Sequence, residues 1–212
     1  MQTFGCFQLY CSGSGVLKAG QDGALLPIVG TETGKGQDGN LRPGMAGLDP
    51  IPQRQGRLPR YQEIPTVGLY LEQTTKYISQ YLDPLEENCL TNSMIANYVK
   101  KGLIANPVKK QYGREQIAYL FFIAVAKNVL SLDSLERFIR VQERTYTLEQ
   151  AYNYFCEELE NILAFVFGLK GSPDAIGVTH TDEKMMLRST IIAFSHKIYL
   201  EKFFQLNADV PD

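Results

Sequence analysis

Twelve of the eighteen glycines and five of the ten prolines fall within residues 1–60 of this 212-residue chain. Across that stretch no apolar period of 3.6 or 2 persists, and "GQDG" occurs twice, at 20–23 and 36–39. Such a segment cannot bury enough apolar surface to offset the entropy of ordering it. A packed fold is therefore confined to the residues beyond Pro59, and residues 1–60 are predicted to be a flexible or loosely docked Gly/Pro-rich extension.

Helical spacing begins abruptly after Pro65. "TVGLYLEQTTKYISQYL" (66–82) puts Val67, Tyr70, Leu71, Thr74, Ile78, Tyr81 and Leu82 on one stripe. It predicts a helix with Thr66 as N-cap, stopped by Asp83-Pro84. A second helix is predicted over 91–101. Thr91 is its N-cap, Leu90 and Ile95 have the spacing of a hydrophobic staple, and Gly102 supplies the left-handed residue past its end. "LIANPVKKQY" (103–112) reads as a small hairpin or wing. After Gly113, "REQIAYLFFIAVAKNVL" is apolar on more than one face and predicts a central helix. Three further helices are predicted over 131–144, 147–168 and 181–206, beginning at Ser131, Thr147 and Thr181, with a loop at 172–180. The predicted class is all-α with one small β element.

Charge is distributed unevenly. The net charge is −2 overall, but from Asn88 to Arg114 there is no Asp or Glu, against five cations: Lys100, Lys101, Lys109, Lys110 and Arg114. Lys100 and Lys101 sit in a last helical turn, where cations complement the macrodipole. That does not account for Lys109 and Lys110, which lie in the wing. Adjacent lysines on an exposed wing suit a phosphate backbone, where each neutralised phosphate releases counterions. Asn92, Ser93, Asn97 and Tyr98 lie at the front and outer side of helix 91–101, where short polar side chains reach phosphates or base edges. Thr91 is needed as a cap, and Tyr98 also has a place in the core.

Other chemistries find little support. The four cysteines (Cys6, Cys11, Cys89, Cys156) form no CxxC, and with His180 and His196 they complete no common zinc spacing. They read as reduced thiols. No Gly-rich loop links a strand to a helix, and no nucleophile and base can be paired, so neither an enzyme nor a cofactor is expected. "EELE" (157–160) reads as a solvated helix face, and the aromatic richness as core packing. The longest apolar run, 117–126, is half a membrane span, and no secretory signal is seen. A cytoplasmic protein without a membrane partner is expected.

A helix ending in "KKGLI", a short wing, and a Tyr before a "GREQI" helix start resemble the winged helix-turn-helix of the MerR type. Ile95, Tyr98, Gly102, Leu103, Tyr112 and Ile117 stand at the matching places. Ala96 and Asn97 depart from it, standing where that family often has Arg and Tyr, and the wing is shorter. A closer resemblance covers about two thirds of the chain. "IPTVGLYLEQ", "SMIANYVKKGLI", "VKKQYGREQIAYL" and "AKNVLSL" resemble the bacterial family catalogued as domain of unknown function 1836. These resemblances imply a winged helix-turn-helix over 61–130, followed over 131–212 by a helical bundle for oligomerisation or sensing. The function they imply is a DNA-binding transcriptional regulator that contacts duplex DNA through helix 91–101 and wing 103–112. No operator or effector is implied. The alternative is a protein-interaction module that keeps the winged shape. A single winged helix reads few base pairs, and Met185, Met186, Ile191, Ile192, Phe194, Ile198, Tyr199, Phe203 and Phe204 surround the last helix axis. A homodimer joined through the C-terminal helices is therefore expected.

Overall fold

The computed structural model describes residues 57–85, 90–177 and 181–206. The extension up to residue 56, and with it Cys6 and Cys11, lies outside these residues, as do Cys89 and His180. A 3-10 turn at Tyr61–Glu63 leads into β1 (Leu69–Tyr70) and α1 (Leu71–Leu82). Then come α2 (Asn92–Lys100), β2 (Gln111–Tyr112), α3 (Arg114–Ala126), α4 (Leu132–Thr145), α5 (Leu148–Val166) and α6 (Asp182–Leu206). The described residues are mostly helical, with one two-stranded sheet, as the periodicity predicts. No helix among them is long and apolar enough to cross a membrane.

The start of α1 differs from the sequence reading. Thr66 is not its N-cap; the helix begins at Leu71, with Tyr70 at the cap position. The preceding residues are held by an antiparallel ladder instead, Leu69 opposite Tyr112 and Tyr70 opposite Gln111. Gly68 permits the approach: a Cβ there would lie 2.8 Å from the Gln111 Cβ. A pairing this distant in sequence leaves no local trace, so the apolar spacing over 67–71 reads as helix.

Helix α3 occupies the centre and packs against α1, α5 and α6. Its buried positions, Ile117, Ala118, Leu120, Phe121 and Ile123 through Ala126, go round the axis. Edge-to-face rings tie it to its neighbours: Phe121 meets Tyr77 and Tyr81 of α1, and Phe122 meets Phe155 of α5. One cluster of buried side chains runs from Leu58 to Ile198. The proposed boundary at residue 130 is thus a turn between α3 and α4, and the packing continues across it.

Two sequence readings are corrected by packing. Residues 57–60 do not belong to a flexible extension. Leu58 and Pro59 are buried, the Leu58 N–H donates to Glu160 Oε1 at 2.7 Å, and Arg60 grips both Glu160 oxygens at 2.7 Å. This strap continues through Ile64, which is buried. Nor is "EELE" a solvated face. Glu157 is exposed, but Glu160 is the anchor of the strap, and Glu158 is wholly buried 3.1 Å from Arg188 of α6. The two acids lie on opposite sides of α5, about 200° apart round its axis, and each meets a partner from a distant segment.

The remaining helices start where their hydroxyl caps predict. Ser131 and Thr147 accept from the N–H groups of Ser134 and Gln150, and Thr181 from that of Lys184. Cys156 is buried, its thiol pushed up to about 12 by burial, which makes it an unreactive core residue.

Candidate functional site

Helix α2 is delimited by its own sequence. The Thr91 hydroxyl accepts from the Met94 N–H at 3.3 Å, while Leu90 and Ile95 are both buried beneath the first turn. At the other end Gly102 takes φ 73°, and two bonds close the helix: Gly102 N–H to Val99 O at 3.0 Å and Leu103 N–H to Tyr98 O at 2.9 Å. This is a Schellman closure. It satisfies the last carbonyls and folds Leu103 back into the core.

What remains of α2 faces solvent. Asn92, Ser93, Asn97, Lys100 and Lys101 are all exposed. Asn92 also receives a 2.6 Å hydrogen bond from Thr75 Oγ1 of α1, which links the two helices. Ser93 shares a 3.0 Å hydrogen bond with Thr91. Tyr98 sits on the inner face at 6% exposure, and burial raises its hydroxyl pKa. It is a core residue, because helical periodicity places it one turn from buried Ile95.

The wing is shorter than the sequence reading, and its turn is elsewhere. Val108 and Gln111 bridge across a two-residue tip, Lys109 and Lys110, with φ 51° and 65°. Both tip residues are left-handed, as a type I′ hairpin turn requires. The second strand of the sheet comes from β1, ahead of α1, rather than from 103–107. Residues 103–107 are tied to the start of α3 through Gln116, whose Nε2 donates to Ala105 O at 2.9 Å. Lys109 and Lys110 are exposed.

Arg114 is placed differently. Its guanidinium donates to Ile64 O at 2.9 Å, Gln62 Oε1 at 2.9 Å and Gln62 O at 3.2 Å, and lies 5.6 Å from the Tyr61 ring centre. It fastens the strap to α3, so the site's exposed cations are Lys100, Lys101, Lys109 and Lys110. The sequence reading also missed an apolar surface. Paired residues point to one side of a sheet, so Tyr70, Gln111 and Val108 share the outer face. Tyr70 and Val108 are 53% and 72% exposed, and Val67 nearby is also exposed. Val67 and Tyr70 fit a helical stripe, whereas the ladder places Tyr70 on the outer face and Val67 lies ahead of it, outside the helix.

No curated protein and no solved structure matches the chain. Residues 59–155, from Pro59 in the strap to Phe155 in α5, match the family model described as Domain of unknown function (DUF1836).

Proposed function

We propose that this protein is a DNA-binding regulator in which α2 enters the major groove and the Lys109–Lys110 turn rests on a neighbouring phosphate track. The observation that carries this reading is the wing tip. Asn-Gly is the favoured pair for such a turn, and lysine pays a steric cost there of roughly 1–2 kcal/mol per residue. Two lysines held in that geometry, exposed and with no acid anywhere from residue 90 to 114, fit a phosphate contact better than a stability role. A helix closed by Gly102, a short wing and a helix start at Arg114 support the winged helix-turn-helix reading.

Replacing the tip, Lys109→Asn with Lys110→Gly, should move two quantities in opposite directions. Stability should rise by about 1–2 kcal/mol as the left-handed strain is relieved. Affinity for duplex DNA, selected from random sequence, should fall. Four cations on phosphate give a log–log salt slope of about −3 to −4, and the double variant should lose about two of that. A wild-type slope near zero would sink the proposal.

The exposed Val67, Tyr70 and Val108 favour a second reading, a protein-interaction module. Duplex selection that enriches no sequence, together with a slope near zero, would leave this reading standing.

A homodimer forms part of the proposal, because two half-sites supply the specificity that one winged helix lacks. Ile191, Phe194 and Ile198 of α6 are buried within the chain, whereas Met185, Ile192, Leu200, Phe204 and Leu206 remain exposed. A second apolar face of this kind suits a second copy of the helix. Sedimentation at micromolar concentration should give twice 23.9 kDa, and Leu200→Glu with Phe204→Glu should give a monomer. A wild-type monomer would remove the dimer.

A further inference from the structure

We infer that the open-mouthed pocket between the C-terminal half of α4 and the N-terminal ends of α5 and α6 binds a small aromatic carboxylic acid. The cavity holds about 240 Å³. Phe138, Ala151 and Leu187 form apolar walls, and Tyr146 and Tyr154 supply aromatic rings. Apolar cavities of roughly 150 Å³ hold a benzene ring, so this one has room for a second ring or a substituent. A largely apolar interior with a few placed polar groups is the usual form of a small-molecule site.

The charged group at the wall selects the ligand's polar end. Lys184 Nζ lies 5.1 Å from the Tyr154 ring centre and 5.9 Å from that of Tyr146. The two rings and the Gly177 backbone surround the ammonium, and an ammonium carries three donors, enough to add a carboxylate to the partners it has. The one acid in the wall, Glu183, is engaged by the Thr145 hydroxyl at 2.8 Å. An amine in the same place would face Lys184.

The rim is fixed before any ligand arrives. Gln142 Nε2 donates to Tyr146 O at 2.9 Å, and the Tyr146 hydroxyl shares a 3.0 Å hydrogen bond with Thr181. A preformed rim lowers the ordering cost of binding. Three segments meet here, and α6 lies outside the matched residues 59–155. The inference is independent of the DNA reading.

The test is a fluorescence titration with 2-naphthoate, 2-naphthylmethanol and 2-naphthylmethylamine, excited beyond tyrosine absorption in a chain that has no tryptophan. The acid should saturate, and bind more tightly than the alcohol or the amine. Ala151→Phe, which fills the cavity, should abolish binding, with its melting curve confirming the fold. Lys184→Met, at a partly exposed position, should weaken the acid about tenfold and leave the alcohol unchanged. The inference is overturned by failure of naphthoate to saturate below about 1 mM, by an amine that binds as tightly as the acid, or by indifference to both substitutions.

Discussion

A chain begun at Tyr61 should melt roughly 10–15 °C below one begun at Arg57, although the two differ by only four residues. The four include Leu58 and Pro59, both buried, and Arg60, whose guanidinium meets both oxygens of Glu160. Losing a buried leucine costs about 2–4 kcal/mol. Removing Arg60 and the Leu58 N–H leaves the Glu160 carboxylate without three of its donors. That side chain is 19% exposed, so water restores part of the loss and the added cost is about 1–2 kcal/mol. At roughly 2–4 °C per kcal/mol for a domain of this size, the sum of about 3–6 kcal/mol spans about 6–24 °C, with the stated shift at its middle. Calorimetry of the two truncations decides the matter. Melting temperatures within about 2 °C of each other would mean that the strap is not part of the core.

Arg188→Met should cost about 3 kcal/mol at neutral pH, and much of that loss should disappear on acidification. Glu158 is wholly buried between α5 and α6, with Arg188 Nη1 3.1 Å from its Oε1, and neither carboxylate oxygen has a well-formed hydrogen bond. Burial raises its pKa above the ordinary 4.5, and the positive charge of Arg188 opposes the rise. Without Arg188 the pKa rises further. A carboxyl whose folded pKa lies above its unfolded pKa binds its proton more readily in the native state. The penalty is therefore complete above the folded pKa and fades as pH falls toward the unfolded value. Denaturant melts of the variant should show the largest deficit at alkaline pH and the smallest near the ordinary carboxyl value of 4.5. Glu158→Leu combined with Arg188→Met should recover most of the stability, because a packed apolar pair has no charge to desolvate. A deficit that stays constant from mildly acidic to mildly alkaline pH would show that Arg188 acts through packing alone.

The strap, the buried pair and the wing draw on different ranges of interaction, and the range governs what could be read from the chain. The caps at Thr91, Ser131, Thr147 and Thr181 were legible because a hydroxyl reaches an N–H only three residues on. Gly102 was legible for the same reason: a helix closes through bonds spanning a few residues, and a left-handed residue past its end points to glycine. The acid-free run with its four exposed lysines was visible as composition.

The sequence by itself thus determined where most of the helices begin and end, that α3 would be central, and which segment is basic. Tertiary structure decided the rest. Only the fold set Leu69 and Tyr70 beside Gln111 and Tyr112, which turned Tyr70 outward and left Lys109 and Lys110 at a tight tip. Only the fold brought Arg60 to Glu160 and Arg188 to Glu158, so that "EELE" became two anchors rather than a solvated face. Only the fold gave Arg114 three internal acceptors. Periodicity reports which side of an element is apolar, because neighbours three or four residues apart share that side. A charged side chain carries no record of its partner in its own neighbourhood, because the partner arrives from another segment through the packing of every element between them.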